Sequence, residues 1–440
     1  MKKFSKSMII LNVIIVLLFG LFLLFPCRNN GAFAQAPIIK WQKCLGGTGL
    51  DRANSIQQTS DGGFIVAGTT ESYDGDVSGN HGGEDILVVK LTSLGGIQWQ
   101  KCLGGTNSDY AISIWQTSDG GFILTGYIYS NDGDVSGNHG NNAIWLVKLT
   151  SLGCIQWQKC LDGTNYDNVE SIQQTSDGGF IVAGTTNSND VDVSGNHGDE
   201  DILVVKLTNL GDIQWQKCLG GTYYDFAESI QQTSEGGFIV AGTTNSNDVD
   251  VSGNHGDFDY WIVKLTSLGG IQWQKCLGGT YDDSAESIQQ TSDGGFIVAG
   301  CTEFYDGDVS ANHGGDEALI VKLNSLGDIQ WQKCLGGAIN ESATYIQQTS
   351  DGGFIMTGCT YSNDGDVSGN HGDNDIWVVK LTSLGGIQWQ KCLGGTYYDF
   401  AESIQKTSDG GYIVTGLTES NDGDVSGNHG GEDIWIVKLK

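Results

Sequence analysis

The sequence predicts an all-β fold, a single seven-bladed β-propeller of four-stranded antiparallel blades, and three observations lead there. The string Trp-Gln-Lys-Cys begins at Trp41, Trp99, Trp157, Trp215, Trp273, Trp331 and Trp389, each 58 residues after the last. Every unit holds four short β-rich runs joined by Gly-containing turns and one longer polar loop. The chain has 67 Gly and only 2 Pro, which suits many tight turns and excludes collagen-like or proline-rich architecture. A fixed period of this size marks stacked supersecondary units, and it overrides the two or three domains that 440 residues would otherwise suggest.

Lys2, Lys3 and Lys6 precede an apolar run from Met8 to Phe25, and a small-x-small site, Ala32-Phe33-Ala34, follows. Residues 1–34 read as a bacterial-type secretory signal cleaved before Gln35. A membrane anchor retained over residues 8–25 is the alternative. Pro26 before Cys27 disfavours lipidation. Residues 35–440 then make seven whole units, the propeller domain, with a secreted or cell-surface location.

Within the first unit, Ala53–Thr59 is followed by the turn Ser60-Asp61-Gly62-Gly63 and the run Phe64–Thr70. A polar stretch leads to Ile86–Thr92, and the turn Ser93-Leu94-Gly95-Gly96 leads to Ile97–Leu103. Short Gly-containing links between β-rich runs mark hairpins. The second and third runs are apolar without alternation, as in strands covered on both faces. Sheets packed face to face around an axis form a propeller. The N-terminal run Ile39–Leu45 is a surplus fourth strand and the last blade lacks one, so it is expected to pair with Ile434–Leu439 and close a monomeric ring. An open solenoid of the same units would leave both ends uncapped.

The segment Asp61 to Thr106, with Asp-Gly-Gly-Phe-Ile-Val-Ala-Gly-Thr-Thr, Ile-Leu-Val-Val-Lys-Leu and Gly-Gly-Ile-Gln-Trp-Gln-Lys-Cys-Leu-Gly-Gly-Thr, resembles the bacterial SBBP β-propeller repeat. The resemblance covers the whole mature chain and implies an exported or surface-displayed bacterial protein. The Trp strand is also similar to that of quinoprotein propellers, whose cofactor and metal ligands have no counterpart here.

A formal charge of −30 argues against nucleic acid as a partner. In such blades the long loop and the interblade link emerge at one rim and both hairpin turns at the other. Of the 52 acids, only Asp61, Asp119, Asp177, Glu235, Asp293, Asp351, Asp409, Asp212 and Asp328 fall at the hairpin rim. The loop rim is therefore expected to be strongly anionic.

The long loop has oxygen side chains at positions 1, 3 and 5, Gly at 6 and a carboxylate at 12. That spacing resembles a calcium-wrapping loop. Its copies are Asp74, Asp76, Ser78 and Asp85; Asp190, Asp192, Ser194 and Asp201; Asp248, Asp250, Ser252 and Asp259; Asp364, Asp366, Ser368 and Asp375; and Asp422, Asp424, Ser426 and Asp433. Another copy has Glu317 at position 12 but Ala311 for Gly. Ala143 stands at position 12 of the second copy, which is expected to bind weakest. Calcium is thus the one cofactor indicated; ordinary solvated turns account for the same residues.

All seven His share one loop position, where they pack the loop or hold a weak transition metal. Seven of the Cys share one strand position in seven different blades, too far apart for disulfides, and are expected to be thiols. Glu170, Glu228, Glu286 and Glu402 begin the innermost strands and are candidate binding residues at the channel. No nucleophile, base and orienter recur together, so the chain is expected not to be an enzyme. The function indicated is a noncatalytic binding or display scaffold using its acidic face for a glycan or surface protein. The alternatives are a carbohydrate-active enzyme using these glutamates as paired carboxylates, or a passive spacer.

Overall fold

The computed structural model describes residues 35–440 apart from 140, 141, 304, 305 and 310–312. The signal or anchor expected over 1–34, and Phe304, Tyr305 and Ala311, fall outside the described residues. The first blade is built from β2 (Asp51–Gln58), β3 (Phe64–Thr70), β4 (Asp85–Leu91) and β5 (Ile97–Leu103), antiparallel and in sequence order. Strands β6–β9 (109–161), β10–β13 (167–219), β14–β17 (225–277), β18–β21 (283–335) and β22–β25 (341–393) repeat it. The seventh blade takes β26 (Asp399–Lys406), β27 (Tyr412–Thr418) and β28 (Asp433–Leu439) from the C-terminus and β1 (Ile39–Leu45) from the other end. The expected ring closure is present, with Leu45 opposite Ile434 and Ile39 opposite Leu439.

Every residue of β3 and β4 is buried, as their unbroken apolar runs predict. Neighbouring blades are stitched by Trp of one outer strand set edge-on against Phe of the next blade, as in Trp41–Phe64 at 5.9 Å and Trp215–Phe238 at 5.8 Å. Inner strands are tied by side chains reaching sideways: Ser55 Oγ accepts the Ile114 N–H at 3.2 Å, and Gln58 Oε1 accepts the Ser408 N–H at 2.7 Å across the ring closure.

One boundary is corrected. The innermost strand begins at Asp51, two residues before the expected Ala53, and its counterparts begin likewise. Asp51, Asp109, Asp167, Asp225, Asp283, Glu341 and Asp399, expected in the interblade links, are therefore the first residues of strands, and they are buried. This short polar start lacks apolar periodicity; pairing of Asp51 with Thr70 and Arg52 with Thr69 extends the ladder across it. Among the described residues no helix is long and apolar enough to cross a membrane.

Candidate functional site

The acidic rim divides into three parts: buried carboxylates between blades, exposed loops, and the channel with its mouth. At each junction the first residue of an inner strand turns inward. Asp51 accepts the Gly47 N–H at 2.9 Å and the Ser72 hydroxyl at 2.7 Å, with Thr70 on its other oxygen. Beside it sits the first residue of the preceding blade's third strand, Asp433 in this case. On Gly104 a Cβ would lie 2.7 Å from Asp109 Oδ2 and 2.8 Å from Asp85 Oδ1, so glycine is required there by space. Desolvation raises the pKa of both carboxyls, and of Asp225, Asp283 and Asp399 to about 6.

The same carboxylate explains the seven His residues. His81 gives its backbone N–H to Asp85 Oδ2 at 3.0 Å, and its Nδ1 lies 2.6 Å from that oxygen. The pairing recurs as His197–Asp201, His255–Asp259, His313–Glu317, His371–Asp375 and His429–Asp433. In the second blade, where Ala143 removes the carboxylate, Asp162 stands in place of the junction glycine. It is fully buried, accepts the His139 N–H at 2.5 Å and lies 3.1 Å from Nδ1. The small Ala143 leaves room for the side chain that Gly104 and its counterparts cannot carry. We expect Asp162→Gly to cost about 1–3 kcal/mol by stripping the acceptor from a part-buried N–H. Adding Ala143→Asp restores most of the loss, as thermal melts of the single and double variants would show.

The sequence-predicted calcium loop does not close on itself. Asp74, at position 1, accepts the Thr48 N–H at 2.8 Å from the link entering its blade, while Asp85, at position 12, faces Gly104 in the link leaving it. The Asp76 N–H donates to the Gly46 carbonyl at 2.8 Å, and Ser78 accepts from Gln100. Asp190 with Thr164, Asp248 with Thr222 and Asp422 with Thr396 repeat the first contact. Positions 1 and 12 thus serve different links, and among the described residues no group of three or more His, Cys, Asp or Glu is arranged to hold a metal ion.

The four candidate glutamates are brought together in the central channel, a cavity of about 610 Å³ ringed by the inner strands. Each occupies a β-bulge: Val169 pairs with Gly184 and Ser171 with Ala183, leaving Glu170 unpaired. A bulge re-aims a side chain, and at Gly184 a Cβ would meet the Asn168 carbonyl at 2.0 Å, so the partner strand needs glycine. The bulge level carries Asn54, Ile112, Glu170, Glu228, Glu286, Thr344 and Glu402. Desolvation, then the charge of Glu286, pushes Glu402 up to about 7 and raises Glu170 and Glu228. Glu286 is raised by desolvation too, but the Ser284 hydroxyl at 2.8 Å favours it as the ionised member.

Above the glutamates the mouth departs from sevenfold symmetry. Tyr110 stacks on Tyr127 at 4.7 Å, and Tyr129 meets both edge-on. Tyr398 stacks on Phe400 at 6.1 Å, and Tyr224 on Phe226 at 6.0 Å. Arg52 pairs with Glu432, and the Tyr110 hydroxyl donates to Glu84. A recess of about 430 Å³ joins Arg52, Tyr110, Tyr127, Phe400, Glu402 and Glu432.

No protein-family model and no curated protein matches the chain. The comparison with solved structures finds chains of low identity. A protein of unknown function from Bacteroides caccae is 13% identical, with a TM-score of 0.41 over 71% of this chain and 92% of that one. The Pan2 WD40 domain of Neurospora crassa is 11% identical, with a TM-score of 0.49 over 92% and 97%. Drosophila Plexin A, in complex with Semaphorin 1b, is 8% identical, with a TM-score of 0.45 over 92% and 88%. The blade topology itself establishes the seven-bladed propeller of repeats.

Sequence reasoning missed the mouth aromatics and the His–carboxylate pairs. The first had a signal: the second residue of the inner strand runs Arg52, Tyr110, Asn168, Phe226, Ser284, Ser342, Phe400 while its neighbours barely change. Of the departures from the repeat, Arg52 lies at the mouth, Trp115 lines the channel and Asp162 is buried at a junction, so the fold does not assemble them into one site. The ten cysteines of the ring are thiols, not disulfides; burial, with Asp433 next, pushes Cys44 up to about 12.

Proposed function

We propose that the chain is an exported, noncatalytic propeller of the SBBP-repeat kind that binds a glycan through the mouth of its channel on the acidic face. The asymmetric aromatic mouth above half-buried glutamates carries this reading. Stacked rings offer flat apolar faces to sugar rings, and carboxyls held protonated near neutral pH donate to hydroxyls as well as accept from them. A surface protein is the other ligand class for this face, and calcium bound by the exposed loop carboxylates would order the rim around it.

Neutral oligosaccharides on a glycan array, followed by calorimetric titration, test the proposal. Binding is expected, and Tyr110→Ala with Phe400→Ala should weaken it at least about tenfold, in keeping with the loss of stacking contacts worth roughly 1.5 kcal/mol. Absence of glycan binding, or binding indifferent to both substitutions, would overturn it. The raised pKa values of Glu170 and Glu402 favour a carbohydrate-active enzyme as the second reading. Release of reducing ends, abolished by Glu228→Gln and Glu286→Gln, would replace the first reading with that one.

A further inference from the structure

The hairpin rim differs from the acidic rim in charge and in what it exposes. Its seven first-turn acids each face a lysine of the third strand, as in Asp61–Lys90 at 3.0 Å, Asp177–Lys206 at 3.0 Å and Glu235–Lys264 at 3.8 Å. Burial opposes ionisation of Asp61, yet Thr59, the Gly63 N–H and Lys90 hold its carboxyl at about 2. These seven acids are each paired with a lysine, which leaves Asp212 and Asp328 as the other acids of this rim, far fewer than on the opposite face.

From this rim six leucines project, one at each turn between third and fourth strands: Leu94, Leu152, Leu210, Leu268, Leu326 and Leu384, between 69% and 77% exposed. Their turns are anchored. Thr92 Oγ1 accepts the Leu94 and Gly96 N–H groups at 3.3 and 3.0 Å, and Gly95 packs against Trp41 of the preceding blade. Equivalent positions around a closed ring share one level, so the six tips define a plane.

The seventh blade has no such turn, because the chain ends meet there. Lys440 and Ile38 exchange backbone hydrogen bonds at 3.0 and 3.2 Å, and Ile38 is 66% exposed. Lys438, Lys440 and Lys40 lie 3.0, 3.3 and 3.9 Å from one acid, Asp409, leaving an excess of positive charge. The strand that enters the ring at this point is preceded in sequence by the apolar run 8–25.

We infer that the hairpin rim rests flat on a phospholipid bilayer, with the leucines in the interfacial layer, Lys40 and Lys440 at lipid phosphates, and the acidic mouth facing away. Interfacial binding combines apolar insertion with attraction of lysines to head groups, and six weak contacts on one rigid body act together. A flat, yielding surface fits a plane of separate tips. A second copy fits less well, because a recess on this rim, around Gln289, Ser292 and Gln348, is polar.

Every strand of every blade lies within residues 39–439, so the ring beginning at Gln35 is the unit to test. In flotation with phosphatidylcholine–phosphatidylethanolamine vesicles it is expected to rise with the lipid. Leu94→Ser, Leu210→Ser and Leu326→Ser together should lower its partitioning at least tenfold without shifting its melting temperature, since all three side chains are exposed. Tyr110→Ala on the other face should leave partitioning to the vesicles unchanged while weakening glycan binding, which separates this inference from the glycan reading. A ring that stays in the aqueous phase, a triple variant that floats equally, or a ring dimer dissolved by the same three substitutions would overturn it.

Discussion

Replacing Glu228 and Glu402 by Gln is expected to raise the melting temperature at pH 8 by about 5 °C or more while leaving it nearly unchanged at pH 4.5. A carboxyl whose pKa is higher in the folded than in the unfolded chain favours folding while protonated. Its contribution is full below the unfolded value of about 4.3 and is lost as pH rises through the folded value. Glu402 is held at about 7 by desolvation and by Glu286, so a loss of roughly 3 kcal/mol develops between pH 4.5 and 8. Glu228 is shifted in the same direction for the same reasons. Gln keeps the shape and hydrogen-bonding capacity without the proton equilibrium. The aspartates of the hairpin rim act oppositely. Asp61 and Asp177, held at about 2, stabilise the ring above the unfolded value near 3.9, and that stability disappears as pH falls towards 2. Stability should therefore peak at about pH 4 to 5. Calorimetric melts from pH 3 to 9 would show it; identical pH profiles for wild type and the double variant would mean that the channel glutamates are solvated and ionised.

Removing residues up to Leu45 is expected to abolish the cooperative melt of the ring. The cut exposes Ile434, Trp435, Ile436 and Val437, all fully buried in the closed ring. It also removes the edge-on contact of Trp41 with Phe64, the Gln42 acceptor of the Trp435 indole and the buried Leu45. Burial of side chains of this size contributes about 1.5–3 kcal/mol each, so the combined loss exceeds the net stability of most domains. The unpaired edge of β28 would also recruit other chains. Size-exclusion chromatography and calorimetry should show aggregated or non-cooperative material, and a peptide spanning residues 36–46 added in trans should restore a melt. A sharp, unshifted transition in the truncated chain would show that the seventh blade closes without its outer strand.

The blades were legible because their signals are local and repeated. Gly-containing hairpins, apolar runs without alternation and a surplus Trp strand fixed the strand order and the closure. What escaped was lateral. Asp51 looks like loop beside Gly49 and Leu50, and only pairing across to Thr70 makes it a strand residue and buries it. Position 12 of the loop was read with the loop's own acids, whereas its carboxylate serves His81 and the next blade's junction. The exchange of Gly for Asp162 opposite Ala143 is visible in the sequence, but its meaning depends on both side chains competing for one volume. The channel glutamates were placed correctly by strand order. The bulge that turns them inward was not, because a bulge is a relation between two strands.

The closure of the ring also determines how it yields to force. Ile38 and Lys440 lie side by side at one end of the antiparallel pair β1–β28, with Leu45 and Ile434 at the other. Tension applied between the two chain ends would open this pair as a zipper, one hydrogen bond after another, instead of shearing all of them at once. A pull between the two chain ends would then uncover the buried edge of the seventh blade long before the other six blades felt any load.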